Sequence, residues 1–97
     1  INWNDDAKKI LGKVNGLFPI PGAFFIYKDE RYKVLKAEIV KNQGNIGEVL
    51  TNDLEVGCGD NQSLKILEIQ RQGKKPQKIE EFILGSQIKK GASLINA

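Results

Sequence analysis

The 97-residue sequence predicts a mainly β domain, a small OB-like antiparallel β-barrel with an N-terminal helix and a short late helix. Three observations carry that expectation. Apolar residues recur at helical spacing only from Ala7 to Val14 and again around Ile79–Ile83. Between these stretches, β-branched and aromatic residues alternate with polar ones in short runs. Glycine, asparagine or aspartate punctuates the ends of those runs, as tight turns require.

The elements follow in order. Asn4 or Asp5 is placed to cap a first helix of about three turns, with Asp5 and Asp6 near its positive end. Ala7, Ile10, Leu11 and Val14 form one apolar stripe, which leaves Lys8, Lys9 and Lys13 facing water. Gly16 is a natural C-terminal cap, and Pro19 and Pro21 prevent the helix from resuming. Ala23–Tyr27 is an aromatic, β-rich run closed by the polar turn Lys28-Asp29-Glu30. Arg31–Val40 then sets Leu35, Ala37 and Ile39 on one face and Lys36 and Glu38 on the other. After the loop 41–45, short strands are expected at Gly47–Leu50 and Leu54–Cys58. The turn Gly59-Asp60-Asn61 leads into a strand at Ser63–Arg71. A Gly73-Lys74-Lys75 turn follows, then a short helix opened by Pro76, lined inward by Ile79, Phe82 and Ile83 and ended by Gly85. Leu94-Ile95 is expected to close the structure as a last strand.

Composition narrows the function. No histidine and no methionine occur, so the commonest general acid–base group and metal ligand is missing and the chain is not expected to be a self-sufficient enzyme. A first residue of Ile1 marks a processed product or, as the preferred expectation, a fragment of a longer protein. The lone Cys58 can form no internal disulfide and is expected to be a small buried residue in a strand. No apolar run approaches the roughly 18–20 residues that span a bilayer, and Ile1–Ile10 does not resemble a signal peptide. No membrane association and a cytoplasmic setting are therefore expected. No catalytic or metal-binding residue is assigned.

Charge is unevenly spread. The net charge of +3 divides into +2 over residues 1–48, −3 over 49–62 and +4 over 63–97. Arg71, Lys74, Lys75 and Lys78 fall close together at the predicted basic turn, and Lys89 and Lys90 follow the late helix. These six are the candidate polyanion-binding residues, with Lys74 and Lys75 leading. A plain solvated face is the alternative for each, and for Lys8, Lys9 and Lys13 it carries at least equal weight. Trp3, Phe24, Phe25, Tyr27 and Tyr32 have the chemistry of a base-stacking platform, but aromatics at this density in a small barrel more often pack the core. Asp5/Asp6 and Glu80/Glu81 sit near helix starts, where they offset the helix dipole.

Three stretches resemble the C-terminal domain of the methionyl-tRNA formyltransferase family. Ile1-Asn2-Trp3 with the helix stripe is similar to that domain's lead-in. Phe18-Pro19-Ile20-Pro21-Gly22-Ala23 resembles its Pro-x-Pro-Gly-Ala turn. Leu67-Glu68-Ile69-Gln70, Gly73-Lys74-Lys75 and Glu81-Phe82-Ile83-Leu84-Gly85 resemble its strand, basic turn and short helix. Gly47–Leu50 and Leu54–Asp60 are similar to the family's glycine-led strand and hairpin, so the likeness runs nearly end to end. Asn15 stands where the family often carries arginine, and Pro76-Gln77-Lys78 replaces a small polar helix cap; the basic turn is unaffected by either.

The resemblance implies a parent enzyme that moves a formyl group from 10-formyltetrahydrofolate to the methionyl amino group of initiator methionyl-tRNA. It further implies that catalysis and the folate belong to an N-terminal catalytic domain of the same chain. Residues 1–97 would then form a tRNA-binding domain that holds the phosphate backbone with little sequence reading. Two other readings stay open at this point. One is an interaction or spacer domain of a related formyltransferase acting on a sugar nucleotide or folate. The other is an independent RNA-binding barrel, against which the missing methionine argues.

Overall fold

The computed structural model describes residues 1–16 and 23–95, so the Pro19 and Pro21 helix stop and most of the proline–glycine turn lie outside the described residues. The first helix, α1 (Ala7–Val14), is shorter than expected, eight residues or about two turns. Its cap is Asp6 rather than Asn4 or Asp5, because the Asp6 carboxylate accepts the Lys9 N–H at 2.7 Å. Asp5 instead faces the Lys9 and Lys13 ammonium groups at 3.7 and 3.6 Å, so two of the helix lysines have a partner. The apolar stripe packs inward as its spacing predicts, with Ala7 and Ile10 buried and Leu11 and Val14 against the core. Gly16, at φ +74°, closes the helix with its N–H on the Lys13 carbonyl.

Five strands follow: β1 (Ala23–Tyr27), β2 (Glu30–Val40), β3 (Glu55–Gly57), β4 (Ser63–Arg71) and β5 (Gln77–Lys78), then helix α2 (Ile79–Gly85). They form one antiparallel sheet in the order β1-β2-β4-β3, with β5 sharing the β3 edge of β4. The result is an OB-like half-barrel: β1 and β3 lie at opposite edges. The helix α1 packs against β1, β2 and β4, and α2 against β4 and β5. A continuous core lies between them, built around Ile10, Val34, Leu54, Leu64, Ile66 and Ile69.

The central β2–β4 pair carries two compensating bulges. Val34 pairs with Ile69 and Ala37 with Ile66, but between them Lys36 pairs with Glu68, leaving Leu35 and Leu67 as one extra residue on each strand. Each extra residue switches which side chains face inward. Tyr32 and Val34 are therefore buried on one side of the bulge, while Ala37 and Ile39 line the core on the other. The simple alternation expected from Leu35 to Ile39 holds only beyond this point.

Three expected elements are reduced. Gly47–Leu50 makes only isolated bridges, of which Val49 to Val56 and Glu48 to Ser93 are two. Leu94-Ile95 is not a strand; Leu94 is buried, and its N–H reaches the Gly47 carbonyl at 2.7 Å. Pro76 does not open α2, because Gln77 and Lys78 first pair with Ile69 and Glu68 as β5. The helix starts at Ile79 after Lys78, which offers no side-chain cap.

The lead-in is pinned from below. The Gly59 N–H donates to the Asp5 carbonyl at 2.9 Å, and the Asn4 carbonyl oxygen would lie only 1.9 Å from a Cβ added at Gly59. Asp60 accepts the first helical N–H, that of Ala7, at 3.2 Å. This crossing delivers Trp3 to the core, where it begins a chain of rings. Trp3 and Phe25 centroids lie 6.2 Å apart, Phe25 stacks on Tyr32 at 5.3 Å, and Tyr32 meets Phe82 edge-on at 5.9 Å. Three of the five aromatics that could have formed a base platform are therefore core.

Candidate polyanion-binding cleft

The β1–β2 connection is a two-residue turn, Lys28-Asp29, not the three residues expected; Glu30 already pairs with Tyr27. Lys28 and Asp29 sit at φ +49° and +64°, the left-handed pair that a primed hairpin turn demands. The basic turn follows β4, far from this hairpin in sequence. Gly73, at φ +76°, makes that turn possible: a Cβ there would touch nothing, so its need is conformational. The Lys74 N–H bonds to the Arg71 carbonyl at 2.9 Å, and the Gln70 side-chain amide donates to the Lys74 carbonyl at 3.0 Å.

Antiparallel pairing places these two turns together. β2 begins at Glu30 and β4 ends at Arg71, with Tyr32 opposite Arg71. The Gln72 N–H donates to the Arg31 carbonyl at 2.8 Å, and the Gln72 side chain accepts the Arg31 N–H at 3.1 Å. A cleft of ≈ 520 Å³ opens there, walled by both turns and by the C-terminal end of α2. Four cations line it, Lys28, Arg71, Lys74 and Lys75, against two carboxylates, Glu30 and Glu81. The lining therefore carries two net positive charges.

Arg71 is already engaged. Its guanidinium holds Glu30 as a two-pronged pair, Nε on Oε2 and Nη2 on Oε1 at 2.7 Å. Those hydrogen bonds are the main reason the Glu30 carboxyl is held below its ordinary range, and the same contacts raise Arg71. The Tyr32 hydroxyl also reaches Glu30, at 3.4 Å, while burial first, then the Glu30 charge, push its own titration upward. The pair thus ties the start of β2 to the end of β4 along the cleft wall. Lys74 and Lys75 are exposed and form no ion pair among the described residues.

The remaining candidates stand elsewhere. Lys78 pairs with Glu68, and Glu68 also pairs with Lys36, which puts one carboxylate between two lysines along a cross-strand row. Lys89 folds back so that its ammonium donates to the Ile83 carbonyl at 3.2 Å, near the negative end of α2. Lys90 is exposed, and its backbone N–H bonds to Asn52. Sequence reasoning missed Lys28, Tyr27, Glu30 and Glu81 as neighbours of the basic turn. The signal was present: two antiparallel strands bring the start of one beside the end of the other. Cys58 is buried, as expected, but just past β3, and burial pushes its thiol up to about 11. Among the described residues, no helix is long and apolar enough to cross a membrane.

The half-barrel thus gathers lysines that form no ion pair among the described residues on two neighbouring turns, over a cleft whose lining is net positive. The family model for the formyl transferase C-terminal domain matches residues 1–87. The chain belongs to that family. It is 66% identical over 96 residues to methionyl-tRNA formyltransferase of Pelagibacter ubique, covering 99% of this chain and 31% of the relative. The methionyl-tRNA formyltransferase of Rickettsia massiliae is 38% identical over 96 residues (97% of this chain, 32% of the relative). That of Bradyrhizobium diazoefficiens is 35% identical over 96 residues (95% and 30%). The chain thus spans under a third of the length of these relatives.

Proposed function

We propose that residues 1–97 are the tRNA-holding domain of a cytoplasmic methionyl-tRNA formyltransferase. In that reading a separate N-terminal domain transfers the formyl group from 10-formyltetrahydrofolate to initiator methionyl-tRNA, and this domain supplies no catalytic group. The observation that carries the reading is the pair of exposed lysines, Lys74 and Lys75, with no ion pair among the described residues, set on a fixed turn over a net-positive cleft. Their likeness to phosphate partners is physical: a compact ammonium on a flexible stem attracts a backbone phosphate without reading a base. Arg71, being clamped to Glu30, acts here as a support for the turn. Lys78, Lys89 and Lys90 add to the surrounding positive field.

The test is charge reversal in the full-length enzyme. Lys74→Glu with Lys75→Glu should weaken tRNA binding and flatten its salt dependence while folate binding stays intact. Lys8→Glu with Lys41→Glu changes net charge equally, on α1 and beyond the far end of β2. Equal losses from the two pairs would mean that only overall charge matters and would sink the assignment of the cleft.

A further inference from the structure

Lys28 stands apart from every other cation of the chain in two independent ways. It lines the same cleft as Lys74 and Lys75 although 46 residues separate it from Lys74 in sequence. It also occupies a left-handed backbone position, φ +49°, in a turn type that asparagine–glycine serves at lower cost. The turn fixes the backbone of Lys28 and with it the direction in which its side chain leaves the hairpin tip. Its ammonium lies 5.6 Å from the Tyr27 ring centroid, which steadies the side chain at the cleft mouth. It has no carboxylate within ion-pair distance among the described residues, and Asp29 beside it in the turn does not line the cleft.

We infer that Lys28 is a further phosphate ligand, forming with Lys74 and Lys75 a two-turn jaw that grips one run of RNA backbone from both sides. The inference rests on the cleft being the RNA-facing site. One turn comes from the start of β2 and the other from the end of β4, so the spacing of the jaw is set by the most extensively paired strands of the sheet. The Glu30–Arg71 pair lies between them and braces that spacing. A jaw of this kind has three lysines without carboxylate partners, so three phosphates are the expected count. The corresponding slope of log K against log salt is roughly −2 to −3, at about 0.7–0.9 per contact.

Two variants of the full-length enzyme test it. In Lys28→Ala the slope should become shallower by about 0.7–0.9, with tRNA affinity reduced at low salt. Lys28→Asn with Asp29→Gly relaxes the turn while removing the Lys28 ammonium and the Asp29 carboxylate, so net charge is unchanged; it should raise thermal stability yet show the same loss of slope. That second variant separates a binding defect from a folding defect. Lys33→Ala, at an exposed position of β2, is the control and should change neither affinity nor slope. If both Lys28 variants keep full affinity and slope while the Lys74/Lys75 reversal loses them, Lys28 is no ligand and the inference falls alone. If the Lys74/Lys75 reversal also has no effect, the cleft reading falls with it.

Discussion

Replacing Gly59 by alanine should dislodge the lead-in. Gly59 is exposed and its backbone is not in the left-handed region, so by exposure and conformation alone the change looks harmless. The obstacle is steric. The new methyl would lie 1.9 Å from the Asn4 carbonyl oxygen and 2.7 Å from its carbon, both parts of the backbone. Nothing there can rotate away, so the crossing strand must move. Losing the Gly59–Asp5 hydrogen bond costs about 0.5–1.5 kcal/mol. Exposing part of Trp3 costs a further 1.5–3 kcal/mol or so, the scale of one large buried side chain. A total near 3 kcal/mol would lower the melting temperature by roughly 12–24 °C for a domain of this size. Trp3 is the sole tryptophan and is 3% exposed, so it reports on the event directly. Native-state emission of the variant should shift to the red before any global unfolding. Gly85→Ala, where a Cβ meets nothing within 4 Å, should be close to neutral. Wild-type emission together with an unchanged melting temperature in Gly59→Ala would refute the steric reasoning.

Two further outcomes follow from single contacts. Asp6→Ala removes the carboxylate that holds the Lys9 N–H and should cost about 1 kcal/mol in urea unfolding, whereas Asp6→Asn should retain most of it. For Cys58, burial raises the folded thiol from an ordinary 9.0 to about 11. Its contribution to stability is therefore complete below pH 9 and lost as the pH rises through about 11, because the unfolded chain ionises first. Melting curves across that window should fall less steeply in Cys58→Ala. A disulfide reagent at pH 8 should label native Cys58 only as fast as the domain opens.

Legibility in the sequence varied with how local the determining physics was. β1 and β4 stand at the predicted bounds, since alternating or aromatic runs flanked by turn residues identify a strand without knowledge of its partner. Gly16 and Gly73 likewise act where their backbone freedom suggested. The bulges at Leu35 and Leu67, 32 residues apart, depend on how two strands fit together, and no pattern within either strand marks them. Pro76 misled for a related reason: a proline is a good first helical residue, but pairing of Gln77 and Lys78 with β4 claimed the next two positions. In the cleft, Lys74 and Lys75 were visible as a charged turn. That Arg71 is paired with Glu30 and Lys89 with Ile83 depends on contacts that only the folded chain makes.

The matched bulges also limit how this chain can change in length. One residue looped out of β2 is answered by one looped out of β4, so the count of steps from the core to each end of the sheet stays equal. Deleting Leu35 alone would break that parity. The remaining residues of β2 could keep their present partners, but Leu67 would stand as an unanswered bulge that bends β4 alone. Deleting Leu35 and Leu67 together would restore the match with a straighter pair of strands. Insertions and deletions in this region should therefore be tolerated in twos, one per strand, like teeth removed from both sides of a zip.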